Sequence, residues 1–216
     1  MAIRAITYRA LSLWGITTMM ILAALCGCEG GKDQAKQPPV AIVKGDTCAV
    51  CGMEIGPYPG PRAEAYVAGV SKPLKFGGTR DFFAYVTQPD NATRLETLYV
   101  QDCSHIDWAH PIDSPESFVE ARKAYYVGWQ PLPGEMGPTF ASFSRRPDAE
   151  AFIQAHGGAL LSYDQITPQV VSGLGYDCPA KDSPLAQIAS DCVQKAPIPS
   201  TRALGHGEIN NGGPAG

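Results

Sequence analysis

Twice along this chain a predicted strand ends in phenylalanine and an aspartate five residues later opens a predicted helix: Phe76 to Asp81, and Phe143 to Asp148. Around the first pair, alternating apolar residues predict a strand over 63–70, with 73–76 as its hairpin partner. A short helix over 80–86 follows Gly77-Gly78, and a third strand spans 94–102. Around the second pair, strands are predicted over 123–128 and 139–143. A helix over 147–156 has Pro147 in its first turn and Gly157-Gly158 at its end, and a last strand covers 159–163. The order strand, strand, helix, strand thus occurs in both halves. It predicts an α+β fold of two small related ββαβ units, about 46–104 and 120–166, within a folded part spanning 46–171.

The N-terminal segment is of another kind. Arg4 and Arg9 precede the fifteen uncharged residues 11–25, and the run stops at Cys26-Gly27-Cys28. A charged start, an apolar stretch and small residues at the end make a secretory signal. The stretch is short for a membrane span, which needs about 20 residues. Leu25-Cys26-Gly27-Cys28 has the lipobox pattern, with Leu three positions before the modified cysteine and Gly before the cut. Residues 1–27 are therefore expected to be a lipoprotein signal peptide, and Cys28 the lipid-bearing end of the mature chain. That places the protein on the periplasmic side of a bacterial membrane; Glu29 after the lipidated residue directs the expectation to the outer membrane. Residues 28–45, polar at first and carrying Pro38-Pro39, read as a flexible linker.

Residues 172–216 lack periodicity, are rich in proline and glycine, and read as an irregular, partly disordered tail. In an oxidising compartment Cys178 and Cys192 are candidates for a disulfide within it. The net charge is −4, and there is no basic cluster and no glycine-rich phosphate loop followed by lysine. Nucleic acid is excluded as a partner on these grounds.

The chemistry concentrates in Cys48-Ala49-Val50-Cys51-Gly52-Met53. Beyond Cys28 the only methionines are Met53 and Met136, each beside a glycine and neither in an apolar run. Thiolate and thioether together form a soft donor set, which selects Cu(I). In an extended segment Cys51 and Met53 face the same way, and Gly52 gives the backbone freedom to bring both sulfurs to one ion. Cys48 stands at the chelate-loop spacing from Cys51. Other readings remain open here. Cys48 and Cys51 could be a disulfide or a thiol–disulfide redox pair, although the strand–helix context of a thioredoxin motif is missing. They could also be half of a structural zinc site completed by Cys103 and His105, although methionine is a poor zinc ligand. Met53 and Met136 could simply fill gaps.

The run from Asp46 to Ile55 resembles the opening motif of the NosL family, the accessory lipoproteins of nitrous-oxide reductase. The likeness continues in order. It takes in Lys75-Phe76 with Asp81-Phe82-Phe83, then Tyr99-Val100-Gln101-Asp102 with Trp108, then Lys123-Ala124-Tyr125-Tyr126-Val127. Glu135-Met136-Gly137-Pro138 follows, and after it Asp148-Ala149-Glu150-Ala151-Phe152 with His156-Gly157-Gly158. It covers about 46–166; Cys103-Ser104-His105-Ile106 is less typical, and the tail has no counterpart.

The resemblance implies a copper chaperone and not an enzyme. Such a protein would accept Cu(I) from a membrane copper-transfer complex and pass it toward assembly of the copper–sulfur centre of nitrous-oxide reductase. It also implies paired ββαβ units. The expected ligands are Cys51 first, Met53 second and Met136 third, contributed from the second half. Cys48 would assist, His105 and His110 are outside candidates, and Tyr58 would shield the site. Release by ligand exchange calls for a partly open site of few sulfurs.

Overall fold

The computed structural model describes residues 36–111 and 114–195. The signal segment, Cys28, the first part of the linker and the end of the tail lie outside the described residues.

In the first half, strands β1 (Ala63–Val67) and β2 (Leu74–Phe76) are followed by helix α1 (Thr79–Val86), a short helix α2 (Pro89–Ala92) and strand β3 (Leu95–Gln101). In the second, β4 (Phe118–Glu120) leads through a 3-10 turn to β5 (Tyr125–Gly128). A small hairpin of β6 (Pro133–Gly134) and β7 (Gly137–Pro138) comes next, then β8 (Ala141–Phe143), helix α3 (Arg146–His156), β9 (Ala159–Ser162) and helix α4 (Pro168–Ser172). The sheets run β2-β1-β3-β4 and β8-β5-β9, with every pairing antiparallel. Setting β4 aside, the two halves share one topology: the first strand is central, the second flanks it on one side, and the strand after the helix flanks it on the other. The α+β expectation holds, and the strand orders agree with two related ββαβ units.

The period-2 side-chain alternation of a strand sorts residues to opposite faces. From the first sheet, Ala63, Ala65, Leu98 and Val100 enter a core that also takes Phe82, Phe83 and Val86 of α1 and Tyr126 and Leu161 of the second sheet. Phe83 is its hub. Its ring meets those of Phe82 and Tyr126 at 5.0 Å, Phe140 at 5.4 Å and Tyr163 at 5.5 Å, the first three edge-on, the favoured geometry for aromatic pairs. The other face of the second sheet, with Val127, Ala141 and Phe143, packs on Ala149 and Ile153 of α3.

Several short elements were not legible, the four-residue helix α2 among them. β4 is three residues long, and the β6–β7 hairpin has only two-residue strands, too short for any periodicity. α4 lies at the end of the folded part, after the last predicted element, and ends at the first residue of the region that reads as tail. Thr167 caps it, accepting from Val170 N at 3.3 Å, and Val170 and Val171 are buried in the main core.

The linker expectation needs correction. Residues 36–45, assigned to the flexible linker, are bound to the fold. Tyr66 Oη donates to Pro38 O and Tyr99 Oη to Gln37 O, both at 2.7 Å, and Ile42 is buried. The apolar run Val40-Ala41-Ile42-Val43 is too short to show a period, and the remaining attachments are made by backbone groups. Over 172–195 the tail is irregular, and it is packed on the fold. Leu174 and Ala189 are buried, Trp129 Nε1 donates to Gly173 O at 3.1 Å, and Val193 forms a two-way backbone bridge with Gly158. Cys178 and Cys192 are joined in a disulfide that closes this segment.

Candidate metal centre

Residues 46–55 double back on themselves. Thr47 and Glu54 form an antiparallel bridge, Cys48 N donates to Met53 O at 2.9 Å, and Ile55 N donates to Asp46 O at 3.0 Å. Inside this bracket Ala49, Val50 and Cys51 turn, and Gly52 N donates to Cys48 O at 2.9 Å. Gly52 has φ +75°, a conformation that side chains other than glycine rarely adopt. The segment is therefore not extended, and the same-face argument for Cys51 and Met53 does not apply; the turn sets their relation instead. Ala49 N donates to Lys75 O at 2.8 Å, fastening the loop to edge strand β2.

Two carboxylates from elsewhere in the chain meet this loop. The Cys48 thiol donates to Asp81 Oδ2 at 3.3 Å and the Cys51 thiol to Glu135 Oε2 at 3.7 Å. The four donor atoms, one from each residue, lie within 4.8 Å of one another. Asp81 comes from the first turn of α1 and Glu135 from the turn of the β6–β7 hairpin. A hydrogen-bonded seam joins those two elements: Thr79 Oγ1 lies 2.9 Å from Thr139 Oγ1 and donates to Phe140 O at 2.6 Å. Buried Gln130 holds the hairpin, donating to Leu132 O at 2.8 Å and Thr139 O at 3.0 Å while accepting from Leu132 N at 2.6 Å. The Glu135 carboxyl occupies the place a Cβ on Gly77 would take, so a side chain there would push that carboxyl aside.

Burial decides what each group can do. Cys48 is 2% exposed, Cys51 is half-buried, and Met136, next to Glu135 at the hairpin turn, is 51% exposed. Cys48 thus forms the back of the site, Cys51 its mouth, and Met136 stands outside on the same hairpin turn that reaches Cys51. Burial pushes the Cys51 thiol up to about 12, and neighbouring Cys48 and Glu135 add to the rise. Burial, and then the charge of Asp81, raise Glu135 as well. Glu135 Oε1 is buried without a hydrogen-bond partner. At neutral pH Cys51 is a thiol, and an incoming cation must displace its proton. An unpaired buried carboxylate oxygen beside two sulfurs fits a site made to receive positive charge.

Arg62, fully buried, braces the chain beside the loop. Its guanidinium donates to Tyr58 O at 2.6 Å, Gly60 O at 2.8 Å and Gly56 O at 3.3 Å, and its charge partly offsets the rise at Glu135.

Of the residues singled out from sequence, Cys48 and Cys51 come together, and Met53 and Met136 belong to the two segments that form the site. His105 and His110 lie outside the cluster, each 3.6 Å from a neighbouring carboxylate, Asp102 and Asp107 respectively. Cys103 is not a partner for a zinc site here. It packs against the second-half cluster of Val127, Ala141 and Phe143, its Sγ accepts from Ser142 N at 3.4 Å, and burial pushes its thiol up to about 12. Asp81, Glu135 and Arg62 were missed as site residues. Asp81 read only as a helix start and Glu135 only as a neighbour of Met136; the one available signal was the placing of Glu135 between two glycine-flanked turn positions.

The NosL family model matches residues 39–171. Among curated relatives, the copper-binding lipoprotein NosL of Stutzerimonas stutzeri is 35% identical over 153 residues, 70% of this chain and 78% of that protein. The protein of the same name from Achromobacter cycloclastes is 35% identical over 124 residues, 56% of this chain and 63% of that protein. Among solved structures, the crystal structure of the copper chaperone NosL from Shewanella denitrificans aligns with TM-score 0.59 at 38% identity. It covers 61% of this chain and 97% of the other. The matched residues include the Cys48–Met53 loop, both helices that face the sheets and the Glu135–Met136 turn, and on that basis this chain belongs to the NosL family.

Proposed function

We propose that this protein is a membrane-anchored Cu(I) carrier. It is held through lipidated Cys28 on the periplasmic side of a bacterial membrane, the outer membrane by its sorting residue. It takes the ion from a membrane copper-transfer complex and passes it on for assembly of the copper–sulfur centre of nitrous-oxide reductase. Relatives named copper-binding lipoprotein and copper chaperone support the carrier reading. The observation that carries it is the meeting of Cys51, at the mouth, with the Glu135–Met136 turn, 84 residues away in sequence.

Cys51 is the principal ligand, as thiolate once its proton is displaced. Met136 and Met53 are the thioether donors, and Cys48 is the rear thiol. Soft donors from two separate segments, one of them exposed, suit an ion that must leave by ligand exchange rather than stay in a closed cage. A thiol–disulfide oxidoreductase is less well supported, since reactive cysteines have depressed pKa values and Cys51 is shifted the other way.

Anaerobic Cu(I) titration of the reduced protein against a chromophoric chelator tests the reading, with zinc run in parallel because two carboxylates adjoin the sulfurs. One Cu(I) per chain, lost in Cys51→Ala and weakened in Met53→Ala and Met136→Ala, is the expected result. Zinc binding that outcompetes Cu(I), or Cu(I) binding indifferent to all three substitutions, overturns it.

A further inference from the structure

The outward face of the first sheet is not exposed. Glu64, Tyr66 and Tyr99 point away from the main core, yet Glu64 is fully buried and the two tyrosines nearly so. Residues 36–45 cover them, lying across all four strands of the sheet. Lys36 Nζ reaches Glu120 of β4 at 2.6 Å, and Gln37 and Pro38 accept from Tyr99 and Tyr66. Val40 N donates to Glu64 Oε2 at 3.1 Å, and Ala41 O accepts from Lys75 Nζ of β2 at 2.8 Å. The other Glu64 oxygen, Oε1, is buried without a hydrogen-bond partner.

This strap runs directly into the metal loop. Its Ile42 is buried in one cluster with Cys48, Ile55, Tyr66, Tyr99 and Phe118, and Cys51 packs against that cluster. A turn follows, in which Asp46 N donates to Val43 O at 3.0 Å and Val43 N donates to Asp46 Oδ2 at 2.7 Å. Lys75 Nζ binds Asp46 Oδ2 as well as Ala41 O, so one ammonium clamps both ends of the turn. From there only Thr47 separates the clamp from Cys48.

We propose that residues 36–45 are a positioning strap for the metal loop, latched at Gln37, Pro38 and Val40 by Tyr99, Tyr66 and Glu64, in which Ile42 holds the Cys48 thiol in place behind Cys51. This rests on the copper-carrier reading for its function, but not for its geometry. Tension or displacement at the N-terminal end of the domain is transmitted to the metal loop, because no flexible residue intervenes between Ile42 and Asp46 except Gly45, whose N–H is itself bound to Glu54 Oε1 at 3.0 Å. The strap loosens without the main core opening, since its contacts are to a separate cluster.

The test compares the full chain with Ile42→Ala and with the double variant Tyr66→Phe/Tyr99→Phe, which keeps the rings and removes only the two hydroxyl latches. Two quantities are read: the rate of alkylation of each free cysteine by iodoacetamide, resolved by peptide mapping, and the Cu(I) affinity. Cys103, in the other cluster, reports global opening. A rise of about tenfold in Cys48 alkylation with Cys103 unchanged, together with a fall of about tenfold in Cu(I) affinity, is the expected result. Cys48 rates within twofold of the parent in both variants overturn the proposal, as does a rise shared equally by Cys103. Faster Cys48 alkylation with unaltered Cu(I) affinity overturns the positioning role. Failure of the parent protein to bind Cu(I) is a different outcome: it removes the carrier reading, while the Cys48-to-Cys103 ratio still decides the strap.

Discussion

Asp81 and Asp148 hold equivalent places in the two halves, each in the first turn of the helix that follows a Phe-ended strand, yet they do opposite work. Asp81 is buried and accepts from the Cys48 thiol at 3.3 Å, whereas Asp148 sits at the surface paired with Arg145 at 2.8 and 2.9 Å. In the first half the helix-start carboxylate lines the candidate metal site; in the second it is a helix-start charge paired at the surface.

That difference is measurable. Asp81→Ala removes a buried acceptor and leaves a void, for an expected loss of about 1–2 kcal/mol. Asp148→Ala removes an exposed ion pair and a helix-dipole charge, for about 1 kcal/mol or less. Urea denaturation gives the two values, and Cu(I) competition is expected to respond to Asp81→Ala alone. An equal fall in copper affinity for both variants would contradict the assignment.

A side chain at Gly77 must displace the Glu135 carboxyl beside it. Gly77→Ala is expected to cost about 1–3 kcal/mol by overpacking and to weaken Cu(I) binding by moving the Glu135–Met136 turn. Adding Glu135→Ala should recover most of the stability, so a double-mutant cycle is the check. Additive losses would mean the strain lies elsewhere.

Glu64 makes stability depend on pH. Burial raises its pKa to about 7, against an ordinary 4.5; Asp46 adds to the rise, while Val40 N–H and Lys75 oppose it. The folded state therefore holds this proton more tightly than the unfolded chain. Stabilisation is complete below about pH 4.5 and declines as pH rises to about 7, by roughly 3 kcal/mol for this group. Tyr66 and Tyr99, also near Glu64, stay protonated across this window, since burial raises both. Denaturation midpoints between pH 5 and 8 should fall in the parent and fall less in Glu64→Gln; parallel curves would rule Glu64 out as the source.

The disulfide between Cys178 and Cys192 closes a segment of 14 residues in sequence separation. Its loss in the Cys178→Ser/Cys192→Ser variant is expected to lower stability by about 3 kcal/mol through the entropy of the unfolded chain. Because Leu174 and Ala189 are in the main core, the loss should appear in the global transition and not as a separate fraying step. Two resolved transitions on calorimetry would show that the segment folds independently.

The amino-acid sequence alone determined the repeated ββαβ order, the family and the cysteine–methionine loop, because these are local: the alternation of Ala63 to Val67, the Phe-to-Asp spacing and the Cys48–Met53 run are each read within a few residues. The tertiary structure decided what adjoins that loop. Asp81 and Glu135 reach the thiols only because the Thr79–Thr139 seam brings α1 and the hairpin together, and hydrogen bonds between segments some 60 residues apart leave no periodic trace. The strap and the ordered part of the tail were hidden for a related reason. The strap is held mainly through its own backbone groups, bonded by side chains of Tyr66, Tyr99, Glu64 and Lys75, and the tail segment by a few apolar residues spaced irregularly. Such attachments carry no signal in composition, and burial of Glu64, the most consequential of them, runs against what its residue type leads one to expect.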